Sequence, residues 1–493
     1  MNPKKELFKG SVIVSVITFT GHILSTILKL LISRIFGIEG FGFYALLMTI
    51  SRFFTTLIEM GYPQSIVHFT TKFKIKNDWE NIKYFFIKGL TRIIIFSLLL
   101  GSLLFIFKDY LLGLIFSSNN INILFFILGI MVVFAINNYI SGMLRGLKYF
   151  KEQAIIFTSL YAIQMISAIL IIRFLLIGKP EIDHFLSLGI FLNIIALSII
   201  TLIIIIKILK NKKGEKRKDI KLLNAYSYPI WLSSLLQSAF QKTDRIMLGL
   251  LSSIQQVGIY SAGLTFSILV AFPLKAMGPV FQPLITELYT KNDFTGISIL
   301  YNTMVRWALL FGIPTFGGII CFGEHFIQLF GEEFIVGYRI MIILSFSQLI
   351  STISGTSGTL LNMTGKQKSN AKIITVGLII TIILNILLVP KWGALGAAIG
   401  TSISVIFINA FRLKVAINYF GIKIDYLAVV PLFIKCTLLI VICVNMIEIN
   451  RVHWIITALT YTFVSGIIVY HSLYENEKTF MKRKIAETLN SND

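Results

Sequence analysis

Two apolar stretches of this chain each carry one polar stripe that ends in a cation. The first stripe consists of Thr18, His22, Ser25, Lys29 and Ser33, and the second of Ser234, Gln237, Ser238, Gln241, Lys242 and Arg245. Residues at these spacings share one face of a helix. Because lipid cannot satisfy polar groups, such a face must meet other protein or a water-filled cavity. The cationic ends could bind an anionic group such as a phosphate.

Further charged residues lie within apolar sequence, and most of them are basic. We expect the deeper cations to line a cavity that suits an anionic solute such as a phosphate or pyrophosphate. These predicted substrate-binding residues are Lys29, Arg52, Lys242, Arg245, Lys275 and Arg306.

Two acidic residues, Glu59 and Asp244, interrupt this basic set. Glu59 lies seven residues after Arg52 on the same helical face, so it could pair with Arg52 or take up a proton or cation. Asp244 could pair with Lys242 or Arg245. No cofactor or metal site is expected, although transport could be coupled to a Na+ or H+ gradient or to the membrane potential.

Four other arginines are close to the ends of apolar runs. They are Arg34, Arg92, Arg173 and Arg339. Long basic side chains in such places can reach the membrane interface, so we expect these four to snorkel.

The composition is that of a polytopic membrane protein. Of the 493 residues, 56% are hydrophobic and 14% are charged, which departs from the balance of globular proteins. Apolar runs of roughly 20 residues recur throughout and predict an all-α fold of about 14 transmembrane helices. The predicted spans are 11–35, 42–69, 90–115, 122–146, 153–177, 185–207, 224–250, 257–282, 297–321, 335–361, 371–389, 394–415, 426–447 and 453–472.

The formal net charge of +22 is distributed unevenly. With the N-terminus inside, the cytoplasmic connections hold about 30 Lys and Arg residues and the external ones about four. This asymmetry predicts a multi-pass protein of the cytoplasmic (inner) membrane with both termini cytoplasmic. It also explains the charge without nucleic acid, and it favours contact with anionic lipid.

The chain contains an internal repeat. Residues 38–47, IEGFGFYALL, resemble residues 254–263, IQQVGIYSAG, and residues 141–155 resemble 357–373, both at an offset of 216. The same offset pairs Lys29 with Arg245. Six spans per copy give both copies the same orientation, which is a parallel repeat.

This repeat predicts the domain organisation. An N-terminal lobe of spans 1–6 covers 1–207, a basic cytoplasmic linker covers 208–222 and a C-terminal lobe of spans 7–12 covers 223–418. Spans 13 and 14, with a cytoplasmic tail, occupy 419–493. Prolines 273 and 279 are expected to break span 8.

Several segments resemble a known family of transporters. They are GIEGFGFYALLMTISRFFTTLIEMGYPQSIVHF, DRIMLGLLSSIQQVGIYSAG, LFGEEF, GTLLNMTGKQK and NILLVPKWGALGAAIGTSIS. In order and spacing they are similar to the prokaryotic polysaccharide flippases. These form the O-antigen and capsule branch of the multidrug/oligosaccharidyl-lipid/polysaccharide (MOP) exporter superfamily. The similarity covers about residues 8–420.

This resemblance implies two lobes around a cationic cavity. It implies that a polyprenyl-pyrophosphate-linked oligosaccharide is moved from the inner to the outer leaflet by alternating access. At the level of regions, it points to Lys29, Arg52, Lys242, Arg245 and Lys275. Expected partners are this lipid-linked substrate, membrane lipids and other polysaccharide assembly proteins, with no nucleic acid and a monomeric state. Spans 13 and 14, with Lys435, could form a groove for the lipid tail.

Other functions remain open at this point. A drug/cation antiporter of the same superfamily would need acidic cavity residues, which the basic ones outnumber here. A flippase for a peptidoglycan lipid precursor is compatible with the sequence. A polymerase or ligase would need a sizeable external loop, whereas the external connections have only about five to ten residues. We therefore expect a transporter and not an enzyme. No phosphate-binding G-x-x-x-x-G-K-[ST] is present, so an ATP-driven pump is not expected. An assembly scaffold would not need a charged interior.

Overall fold

The computed structural model describes residues 3–116, 120–147, 149, 152, 189, 192, 196, 221–422, 430–448 and 454–472. Within these residues the regular structure is entirely helical. The helices are α1 (Pro3–Glu59), α2 (Tyr62–Ile75), α3 (Trp79–Ile106), α4 (Lys108–Phe116), α5 (Ile121–Gly146), α6 (Lys221–Leu251), α7 (Ile254–Ser267), α8 (Phe272–Thr290), α9 (Phe294–Gln328), α10 (Gly337–Ile353), α11 (Ser357–Met363), α12 (Gln367–Phe420), α13 (Val430–Glu448) and α14 (Trp454–Ser472). Two short 3₁₀ helices cover Ile268–Ala271 and Glu332–Phe334.

These helices agree with the predicted membrane architecture. In the described part of the chain, seven helices are long and apolar enough to cross a membrane, or eight if the bent pair α10 and α11 is one span. Helices α1 and α12 have 57 and 54 residues, about twice what a bilayer of ~30 Å requires, and each contains two predicted spans. Predicted spans 5 and 6 lie almost entirely outside the described residues. The chain is a multi-pass membrane protein.

Glycines mark the kinks inside these two long helices. Gly37 in α1 has φ of 67° and Gly393 in α12 has φ of 54°, a region that favours glycine. At the α12 kink, the backbone N–H of Ala394 donates to Gln256 Oε1 at 2.9 Å. The kinks therefore separate predicted span 1 from span 2 and predicted span 11 from span 12.

Predicted span 2 extends too far at its C-terminal end. Helix α1 ends at Glu59, because Met60 and Gly61 both take positive φ, of 47° and 74°. A Cβ at Gly61 would lie 2.4 Å from the carbonyl oxygen of Ser227, so this turn packs directly against α6. Residues 62–69 belong to the separate helix α2.

The predicted break in span 8 is present just before Pro273, whereas the helix continues through Pro279, where a break was also predicted. Helix α7 ends at Ser267, the 3₁₀ turn Ile268–Ala271 follows, and Pro273 lies in the first turn of α8. Proline fits this position because the first N–H groups of a helix have no intrahelical partner.

The repeat is visible in local structure as well as in sequence. Helix α5 begins at Ile121 and α10 at Gly337, which are 216 residues apart. Before α3 and α9 the chain reads Lys-Asn-Asp, at 76–78 and 291–293, which is a further match between the two copies. Asn77 and Asn292 have φ of 54° and 57°. The following aspartates accept hydrogen bonds from the backbone N–H three residues later, at 3.2 and 2.7 Å, and thus act as helix caps.

The described residues form two compact units. The first unit contains 1–262, 328–337 and 367–404, and the second contains 263–327, 338–366 and 405–493. The lobe boundaries stay a prediction, because almost all of the linker 208–222 lies outside the described residues.

Within the first unit, equivalent residues of the two repeats pack against each other. A Cβ at Gly42 would lie 2.0 Å from the carbonyl oxygen of Ile254, and one at Gly258 would lie 2.7 Å from that of Ile38. Gly42 and Gly258 are 216 residues apart, and so are Ile38 and Ile254. A contact in which each partner repeats the other's role is the signature of a two-fold axis. This part of the molecule therefore has local pseudo-two-fold symmetry.

A side-chain pair next to this contact also joins equivalent residues of the two repeats. Gln255 Nε2 donates to Glu39 Oε1 at 2.6 Å, and these two residues are also 216 apart.

The LFGEEF segment packs against α1. The ring of Phe41 contacts the rings of Phe330 and Phe334, with centroids 5.3 and 5.8 Å apart. The two phenylalanines come from the LFGEEF segment, so that motif has a packing role.

Two arginines for which snorkelling is predicted have protein partners instead. Arg34 donates from Nε to the Leu329 carbonyl at 2.8 Å and from Nη2 to the Gln328 carbonyl at 2.6 Å. These carbonyls lie at the end of α9, where backbone acceptors lack helical partners. Arg92 donates to side chains of α2 and α6. Arg339 is exposed, and Arg173 lies outside the described residues.

Candidate cationic binding site

Four of the predicted cations come together in the first unit. Lys29 lies before the α1 kink, Arg52 lies after it, and Lys242 and Arg245 lie on α6. The charges of Arg245 and Arg52 act on Lys29, and the same two charges act on Lys242. Lys29 and Arg245 are repeat equivalents, so the pseudo-two-fold arrangement that joins Gly42 and Gly258 also brings these two cations within interaction range. Four like charges repel one another, and a bound anion would relieve that repulsion.

Arg52 is positioned by an aromatic ring of α5. Its guanidinium carbon lies 4.3 Å from the ring centroid of Phe134, which is a cation–π contact. Such a contact orients the guanidinium without neutralising its charge. The Phe134 ring therefore helps to hold Arg52 at the site.

Lys242 is positioned by a chain of hydroxyl groups. Its ammonium donates to Ser238 Oγ, and Ser238 Oγ lies 3.1 Å from Thr56 Oγ1. The backbone carbonyl of Thr56 accepts a hydrogen bond from Trp231 Nε1 at 3.2 Å. These bonds tie α6 to the second half of α1 and fix the lysine between them.

Glu59 has a different partner from the one that sequence spacing suggested. The carboxylate is buried, with 8% of the residue exposed, and its Oε1 accepts a hydrogen bond from Asn138 Nδ2 at 2.6 Å. Arg52, seven residues earlier on α1, lies against Phe134 instead. The predicted Glu59–Arg52 pair is thus not formed, although the charges of Lys242 and Arg145 both act on Glu59.

Asp244 pairs with Arg245, which is one of the two partners considered for it in the sequence. The Arg245 Nε and Asp244 Oδ1 atoms are 3.7 Å apart. The same oxygen accepts the Arg245 backbone N–H at 2.8 Å, and the other oxygen accepts the hydroxyl of buried Tyr260. At 3.7 Å the ion pair lacks a close hydrogen bond, so Arg245 keeps donor capacity for a ligand.

The charge balance of this site is positive. Lys29, Arg52, Lys242 and Arg245 supply four cations, and Glu59 and Asp244 supply two carboxylates. Both carboxylates already accept hydrogen bonds from neutral groups of the protein. The group that this arrangement could hold best is therefore an anion with more than one charge, such as a diphosphate.

The other two predicted cations belong to the second unit. Lys275 on α8 is exposed. Arg306 on α9 is buried, and its Nη2 donates to the Ser472 carbonyl at the end of α14 at 2.7 Å. The assignment of these two residues to substrate binding stays a prediction, and the contact to Ser472 gives Arg306 a structural role as well.

Several residues that shape the site were missed in the sequence. Phe134 and Asn138 lie four residues apart on α5 and so face the same side of it. The pair Asn137–Asn138 inside an apolar span was a signal that could have drawn attention to α5. Tyr260, the partner of Asp244, had no such signal, because a single tyrosine in an apolar span is common.

The second unit contains a large apolar cavity. Its volume is about 1140 Å³, and it lies between α9 and α14 near the end of α7. Its walls include Trp307, Phe311, Phe322 and Tyr461. Helix α14 packs on α9 through Tyr461, whose hydroxyl donates to the Pro314 carbonyl at 2.8 Å. A cavity of this size and polarity suits a hydrocarbon chain.

Comparison with known proteins identifies the family. The family model described as polysaccharide biosynthesis protein matches residues 7–288, which is more than half of the chain. The chain belongs to this polysaccharide biosynthesis protein family. The family model MatE also matches, over residues 229–387. The match to the family begins before Lys29 and extends past Lys275, so it includes both repeat copies of the polar stripe.

Two individual relatives of this chain are also named for glycan or polysaccharide biosynthesis. Over 221 residues the chain is 22% identical to a probable low-salt glycan biosynthesis flippase of Haloferax volcanii, covering 45% of this chain and 47% of the relative. Over 200 residues it is 30% identical to the capsular polysaccharide biosynthesis protein CapF of Staphylococcus aureus, covering 40% and 50%. The chain thus matches about half the length of these relatives.

A solved structure shows the same fold over nearly the whole chain. The lipid II flippase MurJ in an inward closed conformation matches with a TM-score of 0.67 and 17% identity, covering 93% of this chain and 99% of that one. This likeness confirms the all-α membrane-protein fold predicted from the sequence.

Proposed function

We propose that this protein is a flippase that moves a polyprenyl-diphosphate-linked oligosaccharide from the inner to the outer leaflet. The observation that carries the proposal is the meeting of Lys29, Arg52, Lys242 and Arg245 in one site with a surplus of positive charge. A diphosphate leaving water needs several charge-assisted hydrogen bonds in return, and these cations can donate them. Membership of a polysaccharide biosynthesis family supports a glycan as the cargo.

The apolar cavity beside α14 supports a substrate with a lipid tail. A polyprenyl chain is a hydrocarbon without polar groups, and the walls of the cavity are mainly aromatic and aliphatic. We propose that this cavity holds part of a polyprenyl tail. Helix α14 lies after the duplicated part of the chain, in agreement with a role added to the basic transporter fold.

A drug/cation antiporter is the main alternative, since the MatE model matches residues 229–387. A cationic drug entering the first unit would meet four positive charges against two carboxylates, and this net repulsion disfavours it. A flippase for a peptidoglycan lipid precursor would use the same diphosphate chemistry. The glycan therefore has to be established by experiment.

We propose the cytoplasmic membrane as the location, with both termini in the cytoplasm, from the uneven distribution of Lys and Arg. Under this orientation, the Gly42–Gly258 contact lies near the external surface. The expected partners are membrane lipids and other proteins of polysaccharide assembly, and we expect the flippase itself to act as a monomer.

Deletion of the gene tests the proposed cargo. We expect surface polysaccharide to disappear and lipid-linked oligosaccharide to accumulate on the cytoplasmic side, because synthesis continues while translocation stops. Surface glycans and extracted lipid-linked intermediates would be measured by mass spectrometry. Unchanged glycans together with altered drug tolerance would contradict the proposal and favour the antiporter.

We also propose that Asp244 is part of a cation-coupling site. Its partner Tyr260 lies beside Thr401 of α12. Nearby, Asn385 is fully buried, and its amide nitrogen and oxygen have no hydrogen-bond partner among the described residues. A Cβ at Gly400, the residue before Thr401, would be 3.3 Å from Asn385 Oδ1. Clustered oxygen ligands of this kind suit a hard cation such as Na+.

Replacing Asp244 with asparagine is expected to abolish the dependence of transport on an ion gradient. The change removes the charge that a cation would neutralise and keeps the shape of the side chain. Flipping of a fluorescent polyprenyl-diphosphate lipid would be measured in proteoliposomes with imposed Na+ or H+ gradients. Glu287→Gln is the control, because Glu287 is an exposed carboxylate of the second unit that pairs with Lys291. An Asp244→Asn protein that still responds fully to either gradient would contradict this assignment.

A further inference from the structure

A second cationic pocket lies in the first unit, between α2, α3 and α6. Its volume is about 350 Å³. Arg92, Tyr62, Asn224 and Tyr228 are among its lining residues, and no residue that lines it is acidic. None of the four cations of the candidate site lines this pocket, so it is a separate feature of the molecule.

The guanidinium of Arg92 is held in place on one side. Its Nη1 donates to the Tyr62 hydroxyl at 3.2 Å and to Asn224 Oδ1. The Tyr62 hydroxyl also donates to Asn224 Oδ1, at 3.1 Å. Both partners are neutral, so the charge of Arg92 is not compensated by them. In the described part of the chain the Nε and Nη2 groups donate to no protein atom, which leaves donors of the guanidinium fork for a ligand.

The pocket can be reached from outside the protein. Tyr228 and Ile95, on opposite walls, are 59% and 48% exposed. Phe96 completes the apolar part of the lining. An opening with a fixed cation and apolar walls suits an amphiphile whose head is anionic and whose chains are hydrocarbon.

The depth of the pocket matches the phosphate layer of one leaflet. Arg92 and Asn224 lie within the first turn of the predicted spans 90–115 and 224–250. Lys88 and Lys221, about one turn before them on α3 and α6, are exposed. Under the proposed orientation these span ends are cytoplasmic, so the Arg92 guanidinium lies at the level of the inner-leaflet headgroups, where basic side chains attract anionic lipid.

We infer that this pocket binds the phosphate group of an inner-leaflet lipid, with Arg92 as its main ligand. Guanidinium and phosphate form paired, charge-assisted hydrogen bonds, and the apolar walls accommodate the first carbons of the acyl or prenyl chain. The inference uses the proposed orientation but does not depend on the transport reaction.

Lipid binding to the purified full-length protein tests this inference. Native mass spectrometry would measure the affinity for phosphatidylglycerol, with diacylglycerol as the lipid that lacks phosphate. We expect the wild-type protein to bind phosphatidylglycerol, and Arg92→Gln to weaken binding at least tenfold. Lys76→Gln is the matched control, since Lys76 is an exposed cation of a neighbouring turn that does not line the pocket, and it should leave the affinity unchanged.

A second variant leaves the hydrogen bonds of Arg92 to Tyr62 and Asn224 in place. Tyr228→Glu places a negative charge at the mouth of the pocket, where the tyrosine is exposed, and should also weaken binding at least tenfold. Equal affinity of the wild-type, Arg92→Gln and Tyr228→Glu proteins would overturn the inference, as would equal binding of diacylglycerol and phosphatidylglycerol.

Competition then distinguishes two sources of the phosphate. If undecaprenyl monophosphate displaces phosphatidylglycerol from the Arg92-dependent site, the pocket takes the carrier lipid. If it does not, the pocket takes a resident membrane phospholipid. Both results support a lipid-phosphate site, and only the Arg92 and Tyr228 variants decide whether the site exists.

Discussion

Replacing Lys29 or Arg245 with alanine is expected to reduce export of the lipid-linked glycan at least tenfold. Each change removes one of the four cations that we assign to the diphosphate, and a hydrogen bond between charged groups contributes about 1.5–3 kcal/mol. Surface polysaccharide would be measured in a deletion strain that carries each variant. Membrane levels of each variant would be measured in parallel, so that export is compared at equal amounts of protein.

Charge-conserving variants provide the matched control. Lys29→Arg and Arg245→Lys keep the positive charge and should retain much more export than the alanine variants. Lys291→Ala removes an exposed cation that pairs with Glu287 on α8 and should have no effect. Normal export by both alanine variants would show that the cluster does not handle the substrate.

Replacing Gly42 with alanine is expected to destabilise the protein strongly. The new Cβ would lie 2.0 Å from the Ile254 carbonyl oxygen and 3.1 Å from the Gly258 nitrogen, so α1 and α7 would have to move apart. Overpacking of this kind costs about 1–3 kcal/mol or more. Gly258→Ala, with 2.7 Å to the Ile38 carbonyl, should have a similar but smaller effect. The midpoint of thermal unfolding in detergent would be measured.

Gly466→Ala on α14 is the control for this prediction. A Cβ at Gly466 meets nothing within 4 Å in the described structure. Because alanine forms helices more readily than glycine, this variant should be as stable as the wild type or slightly more stable. If Gly42→Ala unfolded at the same temperature as Gly466→Ala, the close contact between the repeats would be wrong.

The repeat was the most informative feature of the sequence. The offset of 216 pairs Lys29 with Arg245 from the sequence alone, and the structure brings these residues within interaction range. The same offset relates Gly42 to Gly258 and Glu39 to Gln255. Apolar run lengths also predicted most helices, because a bilayer of fixed thickness constrains the length of a span.

Contacts between helices could not be predicted in this way. Spacing along one helix suggested a Glu59–Arg52 pair, yet Glu59 bonds Asn138 and Arg52 lies on Phe134, both from α5. Proximity to a span end likewise suggested that Arg34 snorkels, although it bonds the end of α9. Periodicity shows which face of a helix is polar, but the partner on another helix depends on packing.

The most direct test of the cationic site is the affinity of the purified protein for a polyprenyl diphosphate in nanodiscs. The wild-type, Lys29→Ala, Arg245→Ala and doubly substituted proteins would be compared by native mass spectrometry. If the repeat equivalents hold one diphosphate between them, each single change weakens binding at least tenfold and the double change weakens it further. Affinities that are the same for all four proteins would contradict a shared anion site.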